Sequence, residues 1–205
     1  MEVREKILHK ATDLFMHYGI RSVTMDEIAI QSGVSKKTIY QFYADKDELV
    51  DAMLMNKLDN NRESCSHFKD SAGNAIEEVL FATKMVRQMF ENMNPSLLFD
   101  LEKHHPASFE KFSQFKYKFL REVITDNLNR GIRESLYRPE INVGITTLIR
   151  LENMMLPFSY NVSKSGFNFL EVHMELTEQF LFGIASPEGY KMIEQFKHQR
   201  KEKNN

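Results

Sequence analysis

The chain has 205 residues, 42% of them hydrophobic, with a formal net charge of −2, no Trp and a single Cys. That is enough apolar matter for a real core and too little positive charge for a general polyanion binder. The lone Cys65 excludes an internal disulfide and makes a reducing cytoplasm the expected setting. No apolar run approaches the ~20 residues that cross a bilayer, so no membrane is expected among the partners. The opening MEVREKIL is charged and amphipathic, unlike a signal peptide.

In chain order, the first predicted helix carries Ile7, Ala11, Leu14 and Phe15 on one stripe and stops at Gly19. The segment VTMDEIAIQSGVSKKTIYQFYADKDEL, from Val23 to Leu49, reads as two short helices joined by a tight glycine turn, with a third helix starting beyond. Thr24 is placed to cap the first short helix, and Glu27 follows three residues later as a capping box requires. Ile28 and Ala29 face inward, and Ala29 is small enough for a second helix to cross close by. Gly33 sits where a left-handed residue ends a helix. Ser35 caps the second short helix, KKTIYQFY. Its first turn carries Lys36, Lys37 and Thr38, where free backbone N–H groups and the helix dipole also favour phosphate. Asp45 caps the third helix, with Glu48 as its partner.

These residues resemble the tetracycline-repressor (TetR) family of bacterial regulators. The resemblance covers about the first quarter of the chain. It rests on capping, glycine turn, paired lysines, TIY and the closing DKDEL occurring in order. It implies that the second short helix enters the DNA major groove. The expected contacts are Ser35, Lys36, Lys37, Thr38, Tyr40, Gln41 and Phe42, with Lys46 from the next helix and the capping Thr24 counted beside them. Gln41 suits adenine N6 and N7 or a phosphate. Tyr40 is expected to give its hydroxyl to phosphate, and Ile39 and Tyr43 to be buried scaffold. Phe42 departs from the His or Tyr usual there; it has no hydrogen bond to offer and suits a thymine methyl instead. Residues 1–50 hold seven Lys/Arg against eight acids, a net of −1. Positive charge is therefore local to Lys36, Lys37 and Lys46, and two copies in a dimer would strengthen binding.

The third helix continues through Leu49, Ala52, Met53 and Leu58. KDSAGN is the candidate linker, and Asn74 with Glu77 starts the next helix. That helix places Ile76, Val79, Leu80, Thr83, Val86, Met89, Phe90 and Met93 on a broad stripe, and Pro95 breaks it. A short helix, SLLFDLEKHH, ends at Pro106. A long helix through Phe109, Phe112, Phe119, Val123, Leu128, Ile132 and Leu136 closes at Pro139. Two further apolar helices are expected over Val143–Phe158 and Phe167–Ile184, and a last one, GYKMIEQF, fades into a polar tail. There is no β pattern: the fold class expected is all-α, nine or ten helices, with a helix-turn-helix domain at 1–50 and a larger helical domain at 51–205.

The resemblance implies an effector cavity in that larger domain. Its Phe and Met content offers Met85, Met89, Phe99, Phe112, Phe115, Phe119, Met154 and Phe158 as lining residues; the plain alternative for each is core packing. Few fixed charges stand among them, so the expected effector is a small apolar or amphipathic molecule. The two late helices are apolar on more than one side. Leu148, Leu151 and Met155 on one and Leu176 and Phe180 on the other are expected to pair two subunits in a four-helix bundle.

Neither Glu102, His104 and His105 nor Cys65 and His67 has the ordered spacing of a zinc site, so no metal or cofactor is expected. No catalytic motif is present, and no enzymatic activity is expected. The reading reached is a homodimeric, ligand-responsive DNA-binding transcriptional regulator, a repressor. It is released from a double-stranded operator by the effector. The competing reading is a helical small-molecule-binding or protein-interaction module whose helix-turn-helix is vestigial. The paired lysines and intact caps count against it.

Overall fold

Local capping chemistry sets the helix starts of the first fifty residues. In the computed structural model, which describes residues 2–91 and 93–203, α1 spans Val3–Tyr18, α2 Met25–Ser32, α3 Lys36–Phe42 and α4 Lys46–Ser71. The Thr24 Oγ1 accepts the Glu27 N–H at 3.2 Å, and the Glu27 carboxylate accepts the Thr24 N–H at 2.7 Å. These two bonds satisfy donors that would otherwise be orphaned at the start of α2. Gly33 ends α2 at φ 64°, ψ 35°, the left-handed region that costs glycine least. Ser35 Oγ accepts the Thr38 N–H at 3.0 Å to start α3. Asp45 Oδ1 takes the Glu48 N–H at 2.8 Å, while the Glu48 carboxylate reaches the Ala44 N–H rather than that of Asp45.

Beyond these come α5 Ala75–Phe90, α6 Leu97–His104, α7 Pro106–Gln114, a π-helical segment Phe115–Leu120, α8 Arg121–Arg133, α9 Val143–Asn153, a 3-10 turn Leu156–Phe158, α10 Tyr160–Ser165, α11 Phe169–Ile184 and α12 Pro187–Lys203. Among the described residues the only β feature is an isolated bridge between Tyr137 and Ala185. The fold is all-α, with a three-helix helix-turn-helix domain first. The chain forms two compact units, Met1–Glu63 with Gln88–Phe115, and Ser64–Arg87 with Lys116–Asn205.

In the first unit Ile7, Ala11, Phe15, Ile20, Ile28, Ile39, Tyr43 and Leu49 are buried together, closing the helix-turn-helix on α1. The segment after Gln88 is tied to it by polar contacts. Asn94 N–H donates to Met16 O at 2.6 Å and Arg21 N–H to Asp100 Oδ2 at 3.0 Å. Lys111 and Ser108 both reach Asp51 of α4, at 2.7 and 3.1 Å, and His105 Nδ1 lies 2.8 Å from Asp47.

In the second unit Ala75, Ile76, Leu128, Leu136, Tyr137, Leu181, Ile184 and Ile193 form the core. Tyr137 is its keystone. Its hydroxyl donates to Asn127 Oδ1 at 3.1 Å, and Asn127 Nδ2 donates to Ala75 O at 2.9 Å, so both buried polar groups are satisfied. The ring lies where a side chain at Gly131 would be: a Cβ there would stand 2.1 Å from Tyr137 Cδ2.

Four features differ from the sequence reading. The expected single helix from Phe109 to Leu136 is divided by the π segment, whose wider turn shifts the apolar stripe. The helix expected to run to Phe158 ends at Asn153, because Pro157 cannot donate a helical hydrogen bond and the chain tightens into a 3-10 turn. A further short helix, α10, starts on the Ser159 cap and stops at the left-handed Gly166. The linker shrinks to Ala72–Asn74, since α4 runs to Ser71; Asn74 caps α5 through Glu77 N–H at 2.9 Å.

Candidate nucleic-acid interface and buried cavity

Helix α3 turns one side in and one side out. Ile39 is fully buried and Tyr43 is 1% exposed, while Lys36, Lys37, Tyr40 and Gln41 stand in solvent. The i, i+1, i+4, i+5 spacing of those four places them on one face. Ser35 is exposed at the helix start, bonded to Thr38 through both backbone and hydroxyl, and Phe42 shows its edge at 37% exposure. Tyr43 is fixed from behind by its hydroxyl to Arg4 O at 3.4 Å and by the Arg4 guanidinium over its ring. The rigid back and the free front are what a helix needs to be presented to a groove.

Electrostatics sort the three lysines. Lys37 is exposed without an ion pair among the described residues. Lys36 Nζ reaches Asp26 Oδ2 at 2.9 Å, and this hydrogen bond holds its pKa above the ordinary lysine value. Lys46 is turned inward. Its ammonium donates to Val23 O and lies 5.8 Å from the centre of the Phe15 ring, and burial lowers its pKa. Thr24 is exposed, with its hydroxyl shared with Glu27.

The second unit holds an apolar cavity of about 120 Å³. Helix α4 supplies Cys65 and Phe68, α5 supplies Val79, Ala82, Met85 and Val86, and α8 supplies Val123 and Ile124. The lining also includes Glu78, Asn127, Arg150 and His173, with Phe180. Arg150 is 9% exposed; burial pulls its pKa down to about 10, so it is still charged at neutral pH. It donates to Thr177 Oγ1 at 3.1 Å and lies 4.7 Å from the centre of the Phe180 ring. Burial, with the Arg150 charge behind it, pushes His173 down to about 4 and so leaves it neutral. Burial, then Glu78, pushes the Cys65 thiol up to about 11, so it is no thiolate nucleophile.

Of the residues expected to line a pocket, Met85 and Met154 lie on this cavity. Phe119 and Phe158 belong to the same unit but stand off the cavity wall, with the Phe158 ring tilted against that of Phe169 at a centroid distance of 4.5 Å. Met89, Phe99, Phe112 and Phe115 belong to the other unit, and Phe99 is 56% exposed. Of the expected interface residues, Leu148 is exposed, Met155 and Leu176 are half-buried, Phe180 faces the cavity, and Leu151 is buried within its own unit. Sequence reasoning missed Arg150 and His173. The available signal was one cation inside the apolar run from Ile145 to Leu151.

The capped helix-turn-helix with an exposed basic face is that of a DNA-binding transcriptional regulator. Residues 7–53 match the family model described as bacterial regulatory proteins, tetR family. The transcriptional repressor KstR2 of Mycobacterium tuberculosis is 28% identical over 145 residues, covering 69% of this chain and 72% of that protein. A TetR-family regulator from Agrobacterium tumefaciens superposes with a TM-score of 0.74 at 14% identity, over 90% of this chain and 98% of that one. FadR from Bacillus subtilis, solved in complex with stearoyl-CoA, gives a TM-score of 0.67 at 15% identity, over 88% and 98%. The chain is similar to TetR-family regulators, with the family's helix-turn-helix model matched over residues 7–53. Among the described residues no helix is long and apolar enough to cross a membrane.

Proposed function

We propose that the chain is a homodimeric repressor, released from a double-stranded operator when a small apolar or amphipathic molecule enters the cavity of the second unit. The observation that carries this reading is that one chain has both an outward basic face on α3 and an apolar cavity whose lining includes the buried Arg150. Residues 1–50 read DNA, through Ser35, Lys36, Lys37, Thr38, Tyr40, Gln41 and Phe42, with Thr24 and Lys46 at the margin. Residues 51–205 hold effector and partner subunit. Stearoyl-CoA on FadR supports an acyl or other amphipathic ligand in this fold. The protein works in the cytoplasm and catalyses no reaction of its own.

A ligand releases DNA only if it prefers the conformation that does not bind operator. A ~100-fold preference supplies nearly 3 kcal/mol of coupling, enough to switch a modest operator. The lever is α4, which begins beside α3 and ends with Cys65 and Phe68 on the cavity wall. The test is fluorescence anisotropy on a duplex selected by the protein, titrated with small apolar and amphipathic compounds. Release by a saturable compound is expected. DNA binding that no such compound alters would mean constitutive binding and overturn the effector half of the reading.

A further inference from the structure

We propose that the cavity takes a small monocarboxylate, with Arg150 as the counter-ion for its carboxylate and the apolar walls around Phe68, Val79 and Met154 for the rest. This deepens the effector reading above and rests on it.

Arg150 is a cation nine-tenths removed from water with no carboxylate paired to it among the described residues. A guanidinium carries five N–H donors in a planar fork; one goes to Thr177 Oγ1, and the Phe180 ring covers a face. Burying such a charge without a partner is costly, and folding alone does not require it, since an apolar side chain of similar volume serves a core at least as well. The neighbouring polar groups do not supply the missing charge. His173 is neutral, and the Asn127 amide is used by Ala75 and Tyr137. Glu78, the carboxylate on the cavity wall, is held by Arg130 at 3.0 Å, which also grips Glu134 at 2.7 Å. Arg150 is thus the charge left for an incoming ligand. Its sign selects an anion, and its fork fits the two oxygens of a carboxylate.

Size narrows the class. A cavity of about 120 Å³ is somewhat smaller than the ~150 Å³ that admits benzene. The ligand's apolar part is therefore smaller than a benzene ring, a short chain that leaves room for the carboxylate, and butyrate is a suitable probe.

The experiment is titration calorimetry on the full chain with butyrate and with butyramide, its uncharged counterpart, for wild type, Arg150→Met and Arg150→Lys. Wild type should bind butyrate at least tenfold more tightly than butyramide. Arg150→Met should lose that preference and Arg150→Lys should keep part of it. Equal binding of the two probes by wild type overturns the carboxylate proposal and leaves an effector cavity standing. Binding of neither probe at millimolar concentration overturns the proposal as well. Butyrate bound through Arg150 without release of a selected DNA duplex supports the site and sinks the effector reading instead. If Arg150→Met fails to fold by circular dichroism, the wild-type comparison of the two probes decides alone; a folded Arg150→Met that keeps the preference contradicts the proposal.

Discussion

At Lys36 and Lys37 exposure decides what a mutation does. Both are solvated, so Lys36→Ala and Lys37→Ala should leave the thermal midpoint nearly unchanged while weakening operator binding. Removing a phosphate-binding ammonium should lower the slope of log K against log salt by about one per lysine and monomer, read by anisotropy at several salt concentrations. Affinity unchanged in both variants would remove them from the interface. Lys36 has a competitor, Asp26 at 2.9 Å, so Asp26→Asn should strengthen DNA binding slightly by freeing the ammonium. His173 gives a pH signature. Its folded pKa is about 4, below the usual value of 6.5, so the unfolded chain takes up the proton first. The stability it contributes is complete above about pH 6.5 and is lost as pH falls toward 4, on the order of 3 kcal/mol at most. Urea unfolding of His173→Gln should therefore decline less than wild type over that window. Parallel declines would mean that His173 titrates normally in the folded protein.

Among the elements, those set by neighbours within four residues were legible in the sequence. The Thr24–Glu27 box, the Ser35 and Asp45 caps, the left-handed Gly33 and the Asn74 start of α5 are all local chemistry, and each is formed. The outward face of α3 follows from 3.6-residue spacing once Ile39 and Tyr43 are known to face in. The π segment leaves no such local mark, and the early end of α9 at Pro157 and the Ser159 and Gly166 limits of α10 are local signals that the apolar stripe masks, since a stripe does not encode where a helix breaks. The cavity wall suffers from the same gap: Phe and Met mark core and pocket alike, so Met85 and Met154 could not be told from Phe112 or Phe115 by type. Gly131 gives an element-scale prediction, because α8 can pass Tyr137 only without a side chain there. Gly131→Ala should push the ring out of place and destabilise the second unit by about 1–3 kcal/mol, measured by urea unfolding, despite the better helix propensity of Ala. A stability equal to wild type would show that Tyr137 has room to move. Helix α9 gives another. Ile145, Leu148 and Ile149 are each more than half exposed on it, an apolar strip that a second subunit would cover. Leu148→Glu should give a folded monomer by light scattering. Leu151→Glu, placing a charge at a 1% exposed position, should unfold the chain instead. A wild type that is monomeric at micromolar concentration would sink the dimer.

For the whole molecule, the basic patch is small and local and the net charge is −2, so the proposed homodimer, with two copies acting together on a matched site, is the expected source of tight DNA binding. A two-fold dimer then demands a site with the same symmetry. The most direct measurement is selection of duplexes from a random double-stranded library by the full chain, followed by anisotropy on the enriched duplex. The expected result is a pseudo-palindrome whose half-sites lie one or more helical turns apart, roughly 34–36 Å per turn. Wild type should bind it far more tightly than an unrelated duplex, and the Lys36→Ala, Lys37→Ala double variant should lose most of that affinity. No enrichment over unrelated DNA, or equal binding by the double variant, would contradict a regulator that reads DNA with α3.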